Sequence, residues 1–401
     1  MASRGMYAEL EKFHNNIIVQ AQEFELYGTL LDAMNAKQRY LGYRYGKDIQ
    51  RKLNIEIEYY ENVRNISLKA RQLFNDMIAS ISFSVSSIEY ETELANTISI
   101  LQKYYEQTQS ATIQYYFLLL QTEQNQNRND FQSAQKILFQ VKVFLESNVA
   151  IYTKIRIGAA LINISNNYLF MFNFDKSIFY AHEALNFFVE NEVNAAVTKE
   201  IEFYSLFYSN KIDKSEILIE DSFHASRKLK TPFVYSKSAY LFACIKTFRK
   251  EIDQSNELLK EVHEIEKDKE GWGIGVRILS VMNAIEIENF EKADREIEKL
   301  KRHIAKTVVD KIIRRRNLII HDIFIQLMNM SYDFKKVYKS KQRLFNLLES
   351  NHADCRWKIK SPELLLFHEW FRSKMEERPY NHIAAIQKEK EKYLETLLPA
   401  S

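Results

Sequence analysis

The sequence predicts an all-α fold, a solenoid of antiparallel helix pairs, and three observations carry that prediction. Glycine and proline are scarce, at eight and four among 401 residues, against roughly 7% and 5% in an average chain. The residues that punctuate turns and strands are therefore nearly missing, which implies long elements joined by short polar connections. The apolar fraction is 46%, and 23 tyrosines and 26 phenylalanines supply much of it. Rings in such number suit helices packed on helices. Finally, one short phrase recurs along the chain at nearly constant spacing, the signature of a repeat architecture.

Residues 1–109 read as an N-terminal helical region of divergent repeats. The opening Gly5-Met6-Tyr7-Ala8-Glu9-Leu10 matches the turn and second helix of a unit whose first helix is missing, so further chain is expected on the N-terminal side. No apolar run there could act as a signal peptide. From Phe24 to Tyr90 helix formers are dense, with Gly46-Lys47-Asp48 as the natural turn.

Residues 110–350 hold the repeat array. The phrase is a large apolar residue, two polar residues and a small one, followed by an amphipathic helix. It occurs as Phe131-Gln132-Ser133-Ala134, Phe174-Asp175-Lys176-Ser177, Ile212-Asp213-Lys214-Ser215, Ile252-Asp253-Gln254-Ser255, Phe290-Glu291-Lys292-Ala293 and Phe334-Lys335-Lys336-Val337. Its fourth residue recurs every 38 to 44 positions. The large residue anchors the start of a second helix, and the small one lets that helix approach its predecessor. One such unit buries little alone; stacking makes the core continuous.

The clearest unit carries Leu161, Ile164, Ser165 and Tyr168 on its first helix and Phe174, Ser177, Ala181 and Ala184 on its second. That order resembles the tetratricopeptide repeat, over about residues 110 to 350, with Leu138, Ile219 and Val337 replacing small residues elsewhere and steps longer than the usual ~34. The resemblance implies a right-handed α-solenoid, a tetratricopeptide-like superhelix. It also implies a concave groove lined by the first helix of each unit. By register the groove residues are Asn166, Phe170, Tyr204, Tyr208, Tyr240, Asp322 and Gln326. Tyrosine suits such a surface, giving broad contact and a hydroxyl at little entropic cost. Asn166 matches the asparagine of carboxylate-gripping members, but Ile162 stands where a lysine would be needed.

Residues 351–401 read as C-terminal capping helices. Ser361-Pro362-Glu363 has the composition of a helix start, and Pro379 opens a last helix rich in Lys and Glu.

Chemistry is sparse. Gly42-Tyr43-Arg44-Tyr45-Gly46-Lys47-Asp48 is one residue short of a phosphate loop, and Asp48 replaces the required Ser or Thr. The stretch Gly271-Trp272-Gly273-Ile274-Gly275 follows a charged run rather than a strand, so a turn with Trp272 packed on the stack is expected. His263-Glu264 and His368-Glu369 lack the second histidine of a zinc-protease helix. Cys244 and Cys355 have no ligand partners at metal spacing, and Cys244 reads as a buried thiol. No catalytic, metal or cofactor constellation is found, so the chain reads as non-enzymatic, with no cofactor.

Net charge is only +3, yet thirteen basic residues between Lys299 and Arg343 face only Asp310, Asp322 and Asp333. Lys311, Arg314, Arg315, Arg316, Lys335 and Lys336 form its candidate basic patch for nucleic acid or an acidic ligand. The apolar run from Ile157 to Phe174 contains four asparagines and a serine, which excludes a comfortable membrane span. The resulting expectation is a cytoplasmic scaffold that binds a protein or peptide in its groove. The alternatives are binding of nucleic acid or an acidic ligand through residues 299–343, and a regulatory receptor for signalling peptides. Oligomeric state is not encoded in any pattern found.

Overall fold

The computed structural model describes residues 6–83, 88–189, 192–229, 231–263, 265, 271–308, 315–352 and 354–395. These residues form 19 α-helices and no strand. By compactness the chain divides into two units, residues 1–160 and 161–401.

The first unit contains α1 (Tyr7–Glu23), α2 (Tyr27–Tyr45), α3 (Lys47–Phe83), α4 (Ile88–Thr108), α5 (Ala111–Asn127) and α6 (Phe131–Ser147). Gly46 separates α2 from α3 at φ +84°, a conformation only glycine adopts without strain. Ile66, Ala70, Met77, Leu94, Leu101, Ile113 and Leu120 make the larger core of this unit, where α3, α4 and α5 meet.

The unit boundary falls within α7 (Lys154–Phe170). The second unit then continues with α8 (Phe174–Leu185), α9 (Val193–Tyr208), α10 (Ile212–Ser226), α11 (Pro232–Phe248), α12 (Ile252–Leu259), α13 (Trp272–Glu286), α14 (Phe290–Val308), α15 (Arg315–Asn329), α16 (Phe334–Ser340), α17 (Gln342–Leu348), α18 (Phe367–Met375) and α19 (His382–Glu395). Successive helices pack pairwise, α8 with α9, α9 with α10, α10 with α11, α11 with α12 and α13 with α14. First helices of neighbouring pairs also touch, α9 with α11 and α11 with α13.

Each of the six sequence phrases opens a helix: α6, α8, α10, α12, α14 and α16 all begin on the phrase's large residue. The small fourth residue, from Ala134 to Val337, is 0% exposed in all six, as close helix approach demands. In α6, α8, α14 and α16 the residue before the phrase is Asp or Asn, and its side chain accepts from the backbone N–H three residues on. These are N-caps, satisfying one of the helix's orphan donors.

A buried polar seam ties the pairs together. Ser165 donates to the Ser177 carbonyl at 2.7 Å, and Ser205 of the next pair donates to the Ser177 hydroxyl at 2.8 Å. Two pairs later, Asn283 donates to Ser255 at 2.9 Å and accepts from Thr247 at 2.7 Å. At Ser177 and Ser255 the small residue therefore does more than save space, since its hydroxyl joins its own pair to the next.

Two sequence readings are corrected at the C-terminus. Ser361-Pro362-Glu363 does not start a helix; the chain there is irregular, and helix resumes only at Phe367. Asn381, not Pro379, caps the last helix, accepting from the Ala384 N–H at 3.0 Å.

Candidate functional site

The candidate site lies in the second unit, on the faces of α7, α9 and α11 that carry Asn166, Phe170, Tyr204, Tyr208 and Tyr240 of the groove register, and on α13 and the start of α15, where the register had selected nothing. Those faces are covered by the chain's own residues 354–366. Tyr208 donates its hydroxyl proton to the Ile359 carbonyl at 3.0 Å, and Tyr240 donates to the Pro362 carbonyl. Trp357 stands edge-on to the Tyr208 ring at 5.4 Å and donates its indole N–H to the Glu363 carbonyl. Lys360 reaches the Asn166 side-chain oxygen at 3.1 Å. Cys355, Trp357, Ile359, Leu364 and Leu366 are all buried.

Arg316 fastens this segment. Its guanidinium grips Glu363 bidentately at 2.5 and 2.7 Å and donates to the carbonyls of Leu348 and Cys355. His368 lies 3.2 Å from the same guanidinium. Burial and then the Arg316 charge drive the His368 pKa well below its ordinary value, so the ring is neutral and accepts. Glu363 also accepts from the Phe367 N–H at 2.7 Å, starting α18.

Gly275 makes the close crossing possible. A Cβ there would sit 2.4 Å from the Pro362 Cβ and 3.0 Å from the Tyr240 hydroxyl. Trp272 to Gly275 form the first turn of α13, with only Gly271 before them in a left-handed turn conformation at φ +110°. Trp272 meets Tyr240 edge-on at 5.9 Å and carries the Lys237 ammonium over its face at 4.5 Å.

Between these walls a cavity of about 310 Å³ remains. Phe170, Tyr240, Cys244, Trp272, Gly275, Ile278, Leu279 and Met282 line it from the helices, and residues 360–365 line it from the returning segment. Arg316, Lys358 and Lys360 contribute three cations to its wall, and Glu363 one carboxylate. Nearby, Glu200 pairs with Lys237 at 2.7 Å and lies 3.9 Å from Lys360. Burial alone would raise the Glu200 pKa, but Lys237 and Lys360 hold it below its usual range. Burial lowers the Lys360 pKa, against the pull of Glu200. The Cys244 thiol is buried, which pushes its pKa to about 12, far from a nucleophile's range.

Of the groove residues named from sequence, Asn166, Phe170 and Tyr240 come together around the cavity and its strap. Tyr208 lies under the strap and Tyr204 stacks on it at 6.0 Å, with Tyr204 fully buried. Asp322 and Gln326 are half-buried farther along α15 and stand outside the cavity lining. In the basic segment, Lys311 and Arg314 lie outside the described residues. Arg315 is exposed, while Arg316, 2% exposed, is turned inward onto Glu363. Lys335 and Lys336 are exposed and neighbour Glu377 and Asp333 at 3.0 and 3.9 Å. Sequence reasoning passed over Trp357, Lys360 and Glu363, because nothing local ties them to helices up to 194 residues earlier. Gly275 was the available signal, a glycine inside an otherwise apolar helical run.

No helix among the described residues is long and apolar enough to cross a membrane. No protein-family model matches the sequence, and no curated protein matches it either. Solved structures do match. A Rap protein complexed with competence and sporulation factor is 15% identical, with 94% of this chain and 98% of that chain covered and a TM-score of 0.59. The apo form of RapI is 15% identical over 88% and 98% of the two chains, with a TM-score of 0.55. Aspartyl phosphate phosphatase F from Bacillus subtilis is 14% identical over 98% and 94%, also at 0.55. The chain has the same fold as these proteins, an all-α solenoid of the tetratricopeptide-like kind.

Proposed function

We propose that this chain is a non-enzymatic regulator that binds a protein or peptide on the inner face of its second unit, as a signalling-peptide receptor does. The observation that carries this reading is the grip on residues 354–366. That face already holds irregular, non-helical polypeptide by its backbone carbonyls, through Tyr208 and Tyr240, and keeps a cavity open beside it. Bonds to carbonyls are indifferent to sequence, whereas a shaped cavity selects side chains, and peptide receptors use both. The fold shared with a Rap protein complexed with competence and sporulation factor supports the same reading. The name phosphatase belongs to another neighbour; for this chain the proposal is binding without catalysis. The basic-surface alternative is weakened by the inward turn of Arg316.

The test is retention of peptides from a randomised hexapeptide pool by the full chain, read by mass spectrometry. Ile278→Trp, which fills the cavity from α13, should abolish retention while the thermal melt stays cooperative. Equal retention by both proteins would place binding elsewhere. Replacing Tyr204, Tyr208 and Tyr240 together is not a usable control, because all three are 4% exposed or less and their loss would open the core.

A further inference from the structure

We infer that the cavity beside Trp272 takes an uncharged aromatic side chain of a bound peptide, one that carries a single hydrogen-bonding group, a phenol hydroxyl or an indole N–H. The inference rests on the peptide-binding reading and names the part of the ligand that enters. At about 310 Å³ the cavity is at the small end of the roughly 300–1,000 Å³ of ligand sites, room for one large side chain rather than several residues. Ile278, Leu279 and Met282 give it an apolar face, and Phe170, Tyr240 and Trp272 add rings. A flat ring buries well against such a surface.

The neutrality of the ligand follows from how the wall charges are already used. Arg316 and Glu363 hold each other bidentately. Lys360 is ion-paired with Glu200 at 3.9 Å and donates to Asn166, while Lys237 pairs with the same Glu200 at 2.7 Å. Lys358 has a partner of its own. An entering carboxylate would face Glu363, and an entering ammonium would face Arg316 and Lys360. Either would also lose its hydration in a narrow space lined mostly by rings and aliphatic groups. An uncharged group meets neither penalty. The polar group on the ligand is read from Asn317. This residue lines the cavity from α15, and its side-chain amide makes no hydrogen bond among the described residues. Its Nδ2 lies 3.9 Å from where a Cβ on Gly271 would stand, which sets the amide at the end of the cavity next to Trp272. An amide donates and accepts without charge, so a phenol hydroxyl or an indole N–H entering with its ring finds there the partner that a buried tyrosine or tryptophan needs.

The test is titration calorimetry of the full chain with acetyl-Gly-X-Gly-amide, whose neutral ends leave the central side chain as the variable. Tyrosine at X should bind about fivefold tighter than phenylalanine, and at least about tenfold tighter than glutamate or lysine. Asn317→Ala should remove the advantage of tyrosine over phenylalanine, and Ile278→Trp should abolish binding of both. Should Ile278→Trp fail to fold, the side-chain series and Asn317→Ala still decide. Glutamate or lysine binding as tightly as tyrosine, or a tyrosine advantage that survives Asn317→Ala, overturns the inference. A free phenol offers the same ring chemistry as a tyrosine side chain, so p-cresol is titrated alongside. If the retained hexapeptides share no tyrosine or tryptophan, the side-chain claim falls while the peptide reading stands. If p-cresol binds with the same dependence on Asn317 and no peptide is retained, the cavity is a site for small phenols and the peptide reading falls.

Discussion

Among the described residues, ten that are not glycine hold positive φ, and most of them sit where a helix ends and the next is about to begin. Asn129, Phe172, Asn210, Lys250 and Glu288 each stand two residues before a phrase. In each case the backbone closes with the paired bonds of a Schellman turn, as where Glu288 N–H donates to Ile285 and Asn289 N–H to Ala284. Glycine is the usual occupant, since a Cβ in the left-handed region costs about 1–2 kcal/mol. This explains how a chain with eight glycines makes so many tight turns, and it predicts a simple gain. Glu288 is exposed, so Glu288→Gly should raise stability by about 0.5–1 kcal/mol after the added unfolded-state entropy is subtracted. An unchanged or lowered midpoint in urea would show the turn to be unstrained. At Gly275 the sign is opposite. Gly275→Ala places a methyl 2.4 Å from Pro362, and the overpacking should cost about 1–3 kcal/mol. Faster amide exchange confined to residues 357–366 would be its mark, and a neutral substitution would contradict the close crossing.

At the level of helices, the best example of remote control is the turn between α1 and α2. Glu25, at φ +52°, extends its carboxylate over the start of α5 and accepts from the Ser110 hydroxyl and the N–H groups of Ala111 and Thr112, at 2.9, 2.5 and 3.1 Å. Orphan donors and the positive end of the helix dipole both favour a carboxylate there. Glu25→Ala should therefore cost about 2 kcal/mol and fray α5 first, while Glu25→Asp, one methylene short, should recover part of the loss. Hydrogen exchange at Ala111 to Ile113 checks this; uniform exchange along α5 in the variant would refute it. Such a contact spans 85 residues and leaves no trace in local sequence. What the sequence did disclose were features set within a few residues. Phe174 opens α8, Ser177 and Ala181 are buried, and Gly46 breaks α2 from α3, because helix periodicity and turn chemistry are local. The site shows the same division. Register grouped Asn166, Phe170 and Tyr240, which do lie together around the cavity and its strap, since repeats place equivalent residues on one face. Lys360 and Glu363 were not grouped with them, and Ser361-Pro362-Glu363 was misread as a helix start. Its partners Arg316, Tyr240 and Gly275 override the local preference.

Across the second unit as a whole, the returning C-terminal segment converts an open stack of hairpins into a structure closed on its own inner face, and its docking depends on pH. His382, at the start of α19, is wedged among the rings of Phe207, Phe248 and Tyr380, with Tyr208 also stacked nearby. Its Nε2–H donates to the Phe207 carbonyl at 2.9 Å. Burial lowers its pKa from 6.5 to about 4, outweighing that hydrogen bond. The unfolded chain thus binds a proton between pH 6.5 and 4 that the folded one does not. The stability contributed by the neutral ring is complete above pH 6.5 and is lost as the pH falls toward 4. At pH 5 the loss from this residue is about 2 kcal/mol. His368, held well below its ordinary value by burial and then by Arg316, pushes in the same direction. Urea unfolding followed at pH 7.5, 6 and 5 should show the decline in the native chain. His382→Phe keeps the ring packing but cannot protonate, so its decline should be shallower by about that amount. Because His382 seats α19 against the ends of α9 and α11, tryptophan fluorescence from Trp357 and Trp370 should change before the helical signal does. Parallel pH profiles for the two proteins would mean that the imidazole is already solvated, and that the fold-back is not secured where these contacts place it.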